Sequence, residues 1–68
     1  MTSIRQLRYF VEIAECGSFS SAAERLFIAQ SALSRQIKEL EQQLGTPLFE
    51  RTARLPRLTP AGQALLER

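Results

Sequence analysis

The chain has 68 residues, 44% of them hydrophobic, and a formal net charge of +2. A chain of this size buries only about 60% of the surface that its unfolded form exposes, so it supports one small domain and no deep pocket. It has no His, Asp, Asn or Trp, which excludes a Ser-His-Asp triad, a Cys-His pair and an ordinary zinc site, and its single cysteine, Cys16, excludes an internal disulfide.

The longest unbroken apolar run is 26–29, far short of the roughly 20 residues a membrane-spanning helix needs. Arg5, Arg8 and Glu12 interrupt the first apolar stretch, so no signal peptide is expected and the default compartment is the cytoplasm. The net charge names no partner, but its distribution is uneven. Residues 51–66 carry Arg51, Arg54 and Arg57 and no acid, a local basic stretch that suits a phosphate-bearing partner.

The first helix is predicted over about 4–16. Thr2 or Ser3 can cap it, because a side-chain oxygen satisfies an otherwise unpaired N–H of the first turn. Ile4, Leu7, Phe10, Val11 and Ala14 fall on one side of it. Tyr9 and Ile13 lie off that stripe, as extra core or as a surface patch. Gly17 ends the helix, where it takes a positive φ at little cost. A second helix follows over about 19–26, capped by Ser18, with Phe19, Ala22, Ala23 and Leu26 as its inner side. Ser21 through Glu24 also fit a capping box, which leaves its start open by a few residues.

The third helix, about 30–44, carries the clearest pattern. With Leu33 at 0° on a helical wheel, Ile37, Leu40 and Leu44 all fall within about 40° of it. Ser31, Arg35, Lys38 and Gln42 lie on the opposite face, and Ser34 sits on the shoulder near about 100°. Gly45 closes the helix and Pro47 prevents it from resuming. Residues 48–50 then read as a short strand with Leu58 on its return partner, around a basic loop over 51–57. Thr59-Pro60 opens a fourth helix, a cap followed by proline at the first helical position. The chain stops at Arg68 on an apolar helical pattern with no stop signal, so a truncated helix is expected.

Catalysis has little to work with. Gly17, Gly45 and Gly62 are too far apart for a phosphate-cradling loop. The Glu12/Glu15 and Glu39/Glu41 pairs read as solvated helix surface. Cys16 reads as an inert residue at a helix end, with no basic neighbour in sequence to lower its pKa. No enzyme activity, metal or cofactor is expected.

Three features agree on nucleic acid. A short helix, a turn over 27–29 and a longer helix give the helix-turn-helix layout, whose second helix enters the major groove. Ala23 is small where the helices cross, and Ile28 points inward from the turn. The outer face of the third helix offers Gln30, Ser31, Ser34, Arg35 and Lys38, types that pair with base edges or phosphates, with no acid among them. The basic loop stands where a winged helix has its wing, and a flexible arginine loop suits phosphate or narrow minor-groove contact.

The runs Leu7-Arg8-Tyr9-Phe10-Val11, residues 17–26 (GSFSSAAERL), residues 30–37 (QSALSRQI), Leu40-Glu41, Leu44-Gly45, residues 47–51 (PLFER) and residues 58–62 (LTPAG) together resemble the N-terminal domain of LysR-type transcriptional regulators. The resemblance covers nearly the whole chain without gaps. It implies a winged helix-turn-helix that binds double-stranded promoter DNA as a homodimer, often within a tetramer. It also implies a long linker helix and an effector-binding domain, neither of which this chain contains in full. Carried over, Gln30, Ser31, Ser34 and Arg35 correspond to groove contacts, Lys38 to a phosphate contact, and Arg51, Arg54 and Arg57 to wing or backbone contacts. Three positions depart from the family pattern. Ala29 stands where Ser or Thr often caps the recognition helix, a loss of about 1 kcal/mol that could shift the helix start. Phe27 sits in the turn, where a positive φ would strain it. Ala53, Leu55 and Pro56 occupy a loop that is often glycine-rich.

The expected architecture is mostly α with a small β-hairpin: a winged helix-turn-helix over 1–58 with a three-helix core and a two-stranded wing, and the start of a linker or dimerisation helix over 59–68. The expected function is sequence-specific DNA binding by a cytoplasmic transcriptional regulator. The alternative is a winged helix kept for protein docking, with Tyr9, Ile13 and the fourth helix as its surface.

Overall fold

The computed structural model describes residues 3–50 and 56–67. Helix α1 spans Ile4–Cys16. Of its two candidate caps, Ser3 takes the role. The Ser3 hydroxyl accepts from the Gln6 N–H and the Gln6 side chain accepts from the Ser3 N–H, closing a capping box that satisfies two orphan donors at once. Gly17 ends the helix at φ 71°, and its N–H donates to the Ile13 carbonyl at 2.9 Å. Helix α2 spans Phe19–Leu26, with Ser18 accepting from the Ser21 N–H; the alternative start at Ser21 is not used. Helix α3 spans Gln30–Leu44 and ends at Gly45, φ 74°.

Two short strands follow, β1 (Phe49–Glu50) and β2 (Arg57–Leu58). They pair antiparallel, with Phe49 opposite Leu58 and Glu50 opposite Arg57. The first strand is one residue shorter than the sequence suggests, because the Leu48 N–H points to α3 rather than into the ladder. Helix α4 spans Pro60–Leu66, with the Thr59 hydroxyl accepting from the Gly62 N–H.

The core is where the three helices and the hairpin root meet. It comprises Phe10 and Ile13 of α1, Ala22 and Ala23 of α2, Leu33, Ile37 and Leu40 of α3, then Leu48 and Phe49. Two adjacent alanines let α2 cross its neighbours closely, while Phe49 fills the end of the bundle. Its ring lies 5.5 Å, centroid to centroid, from both Phe10 and Phe19. Aromatic pairs at this separation contribute about 0.5–1.5 kcal/mol beyond their buried area. Buried Gln6 donates from Nε2 to Gln36 Oε1 at 3.3 Å, tying α1 to α3.

Two inward faces differ from the sequence reading. On α1, Ile4 is 81% exposed and Val11 is also exposed, whereas Ile13 is fully buried beside Phe10. The buried side of α1 lies about a quarter of a turn away from the centre of its apolar stripe, so Ile13 is core and Gln6 goes in with it. On α3, Leu44 is exposed. The apolar stripe runs one turn past the body it packs on.

Candidate nucleic-acid interface

The helix-turn-helix is built around Ala23. The Phe27 N–H donates to the Ala23 and Glu24 carbonyls, and the Ile28 N–H reaches the Ala23 carbonyl at 3.1 Å. These bonds satisfy the last carbonyls of α2 and force the chain through a left-handed residue, Phe27, at φ 60°. Its side chain is 93% exposed, so the conformation is held by the backbone and by Ile28, which packs on the core, and not by burial of the ring. The condition set by the sequence, strain if φ is positive, is met.

Ala29 then opens α3. Its φ of −69° and ψ of 143° are those of an N-cap, but no side chain caps the helix. The helix nevertheless starts at Gln30, because the Leu33 N–H donates to the Ala29 carbonyl at 3.1 Å and Leu33 is anchored in the core. Burial therefore sets this helix start, and the missing cap does not move it.

That anchoring turns the other face outward. Gln30, Ser31, Arg35 and Lys38 are exposed, and Ser34 is half-buried on the shoulder. Ser31, Arg35 and Lys38 are spaced by four and then three residues, one continuous ridge. At 1.5 Å per residue the ridge is about 10 Å long, close to the roughly 12 Å width of a major groove. Arg57 of β2 is exposed on the same domain, in register opposite Glu50. Arg51 and Arg54 lie outside the described residues, as do Ala53 and Leu55 of the basic loop.

Two features escaped the sequence reading. The first is Glu41, assigned to solvated surface but only 7% exposed. Its Oε2 accepts from the Leu48 N–H at 2.7 Å and from the Phe49 N–H at 3.3 Å. The signal was its position about 80° from Leu33 on the helical wheel, at the edge of the apolar stripe. The second is a contact between α1 and α2. Arg25 donates to the Cys16 sulfur at 3.5 Å, and its Nε lies 3.5 Å from Glu12 Oε1. Cys16 also donates to Glu12 at 3.7 Å. The hydrogen bond with Cys16, followed by nearby negative charge, raises the Arg25 pKa above its ordinary value. A basic neighbour that is distant in sequence thus lies beside Cys16. Among the described residues no group of three or more potential ligands could hold a metal ion.

A family model described as bacterial regulatory helix-turn-helix protein, lysR family, matches residues 4–63. The chain belongs to the LysR family. Its relatives include the HTH-type transcriptional regulator TfdS of Cupriavidus pinatubonensis, 60% identical over 63 residues, which cover 93% of this chain and 21% of that protein. TfdT of the same organism is 55% identical over 64 residues, 94% of this chain and 28% of the relative. The chain therefore spans about a quarter of the length of these LysR-family regulators. Among solved structures, the BenM DBD/catB site 1 DNA complex superposes with a TM-score of 0.93 at 47% identity, covering 97% of this chain and 74% of that one. The CbnR DBD–DNA complex gives 0.91 at 45% identity, covering 97% and 76%. At such identities the likeness extends to the family as well as the fold.

Proposed function

We propose that this chain is the double-stranded-DNA-reading part of a LysR-family transcriptional regulator. Residues 1–58 form the reading head and residues 59–68 begin a linker helix. The observation that carries the reading is the ridge of Ser31, Arg35 and Lys38 on a helix whose other face is anchored by Leu33, Ile37 and Leu40. A rigid, groove-sized helix presenting hydroxyl, amide and cationic groups is what major-groove readout requires. The DNA complexes of BenM and CbnR support it.

In this reading Gln30, Ser31, Ser34 and Arg35 contact base edges, while Lys38 and the wing arginines Arg51, Arg54 and Arg57 contact phosphates or the minor groove. Phosphate contacts supply affinity and base contacts supply discrimination. The working form is a pair of copies on promoter DNA in the cytoplasm, with the effector bound by a part of the regulator beyond these residues. No helix among the described residues is long and apolar enough to cross a membrane.

The test is selection of bound sequences from a random duplex pool at two salt concentrations. Enrichment of one motif, with an inverted repeat if copies pair, is expected. Affinity should fall with salt at a log–log slope of about −0.9 per phosphate contact, about −3.6 for contacts by Lys38, Arg51, Arg54 and Arg57 together. No enrichment together with a flat salt response would overturn the reading.

A further inference from the structure

The two halves of the proposed interface, the outer face of α3 and the hairpin carrying Arg57, share few residues. Among the described residues the hairpin has two paired residues on each strand, and a two-stranded ribbon is marginal alone. Something else must set where it stands relative to α3.

The connection is the carboxylate of Glu41. It leaves α3 from the edge of the buried stripe, is itself buried, and takes the N–H groups of Leu48 and Phe49 on one oxygen. These two amides begin the hairpin. The Leu48 carbonyl accepts from the Thr59 N–H at 3.0 Å, just after β2. The Leu48 residue is therefore held from both sides, by α3 through its N–H and by the return strand's exit through its C=O. A charge-assisted bond of 2.7 Å to a buried carboxylate is among the stronger directional links available to a backbone amide.

We infer that Glu41 is a positioning residue of the DNA interface: it fixes the wing to the recognition helix, so that Arg57 and the α3 ridge meet the same duplex together. It touches no DNA itself and acts through Leu48 and Phe49. This inference rests on the proposed DNA-binding reading.

The experiment compares Glu41→Ala, Arg57→Ala, the double variant and Glu41→Gln in the whole chain, by duplex binding across a salt series. If Glu41 acts through the wing, Glu41→Ala makes the salt slope shallower by at least the amount that Arg57→Ala does, about 0.9 for each phosphate no longer engaged. The double variant is then no shallower than Glu41→Ala, and base preference is unchanged in all of them. Glu41→Gln keeps an acceptor oxygen and restores most of the slope. Amide hydrogen exchange at Leu48 and Phe49, read without DNA, speeds up in Glu41→Ala while the α3 amides stay protected. Effects of Glu41→Ala and Arg57→Ala on the slope that simply add, or Leu48 and Phe49 amides that stay as protected as before, would overturn the inference. Because the exchange arm needs no duplex, failure of the link is distinguished from failure of the DNA-binding reading, which would show as an unaltered chain that binds no duplex.

Discussion

Gly62 of α4 lies so close to the carbonyl oxygen of Leu48 that a Cβ built on it would overlap that oxygen. The reason is local. Thr59 holds the same segment from the other side, donating its hydroxyl to the Pro47 carbonyl at 2.7 Å and its N–H to the Leu48 carbonyl. At Gly62 the first turn of α4 is thus seated on the Leu48 backbone, with the Leu58 side chain beside it.

Replacing Gly62 with alanine should therefore destabilise the chain. In an open helix interior the same change gains about 1 kcal/mol. Here the atom met first is backbone, which cannot step aside as a side chain can, so α4 must move. A net loss of about 1–3 kcal/mol is expected, read as a lower denaturant midpoint. Gly17→Ala should also lose stability, for a different reason: no atom stands within 4 Å, but φ is +71°, which costs an L-residue about 1–2 kcal/mol. A Gly62→Ala chain more stable than the original would refute the seating argument.

Phe27 gives the opposite sign. It holds φ 60° without burying its ring, so the strain of a left-handed bulky residue is not offset by packing. Phe27→Gly removes about 1–2 kcal/mol of that strain and gives back about 0.4–1 kcal/mol through the more flexible unfolded chain. A net gain of up to about 1.6 kcal/mol should appear as a higher midpoint with an unchanged denaturant slope. A loss of stability would show that the exposed ring makes a contact worth more than the strain.

Ala29→Ser should stabilise the recognition helix. Ala29 already has cap geometry without a cap bond, whereas Thr59, at φ −75° and ψ 169°, caps α4 with its hydroxyl. Supplying the oxygen is worth about 1 kcal/mol, or roughly 4–8 °C in Tm for a domain of this size. Ala29→Val, which offers no oxygen, should give no such rise.

Helix ends and helix faces differ in how far the sequence was sufficient. Breakers and caps are local chemistry, so Gly17, Ser18, Gly45 and Thr59-Pro60 located the helix ends where the structure has them. Which side of a helix faces in is not local. The stripe of Ile4, Leu7, Phe10, Val11 and Ala14 on α1 is apolar, yet of these only Phe10 is fully buried, and Ile13, from off the stripe, is buried beside it. Glu41 shows the same limit: a glutamate at the edge of a stripe looks solvated until the chain returns, through Gly45 and Pro47, to place two amides on it. Of the candidate site, the α3 ridge followed from the periodicity of Leu33, Ile37 and Leu40. The coupling of that ridge to the hairpin depends on contacts that no spacing rule contains.

The last prediction separates the two proposed jobs of the α3 ridge. Arg35 is the residue suited to bidentate pairing with guanine, worth about 1–3 kcal/mol of discrimination against a wrong base. Lys38, one turn further along the ridge, is a point charge suited to phosphate. Arg35→Lys keeps the charge but loses the planar fork. It should leave the salt slope unchanged and flatten the selected motif at one position. Lys38→Ala should keep the motif, weaken every duplex by a similar factor and make the slope shallower by about 0.9. Duplex selection followed by salt titration of the two variants reads both quantities. If Arg35→Lys left the motif intact while Lys38→Ala altered it, the roles would have to be exchanged, placing the C-terminal part of the ridge, and not its start, deepest in the groove.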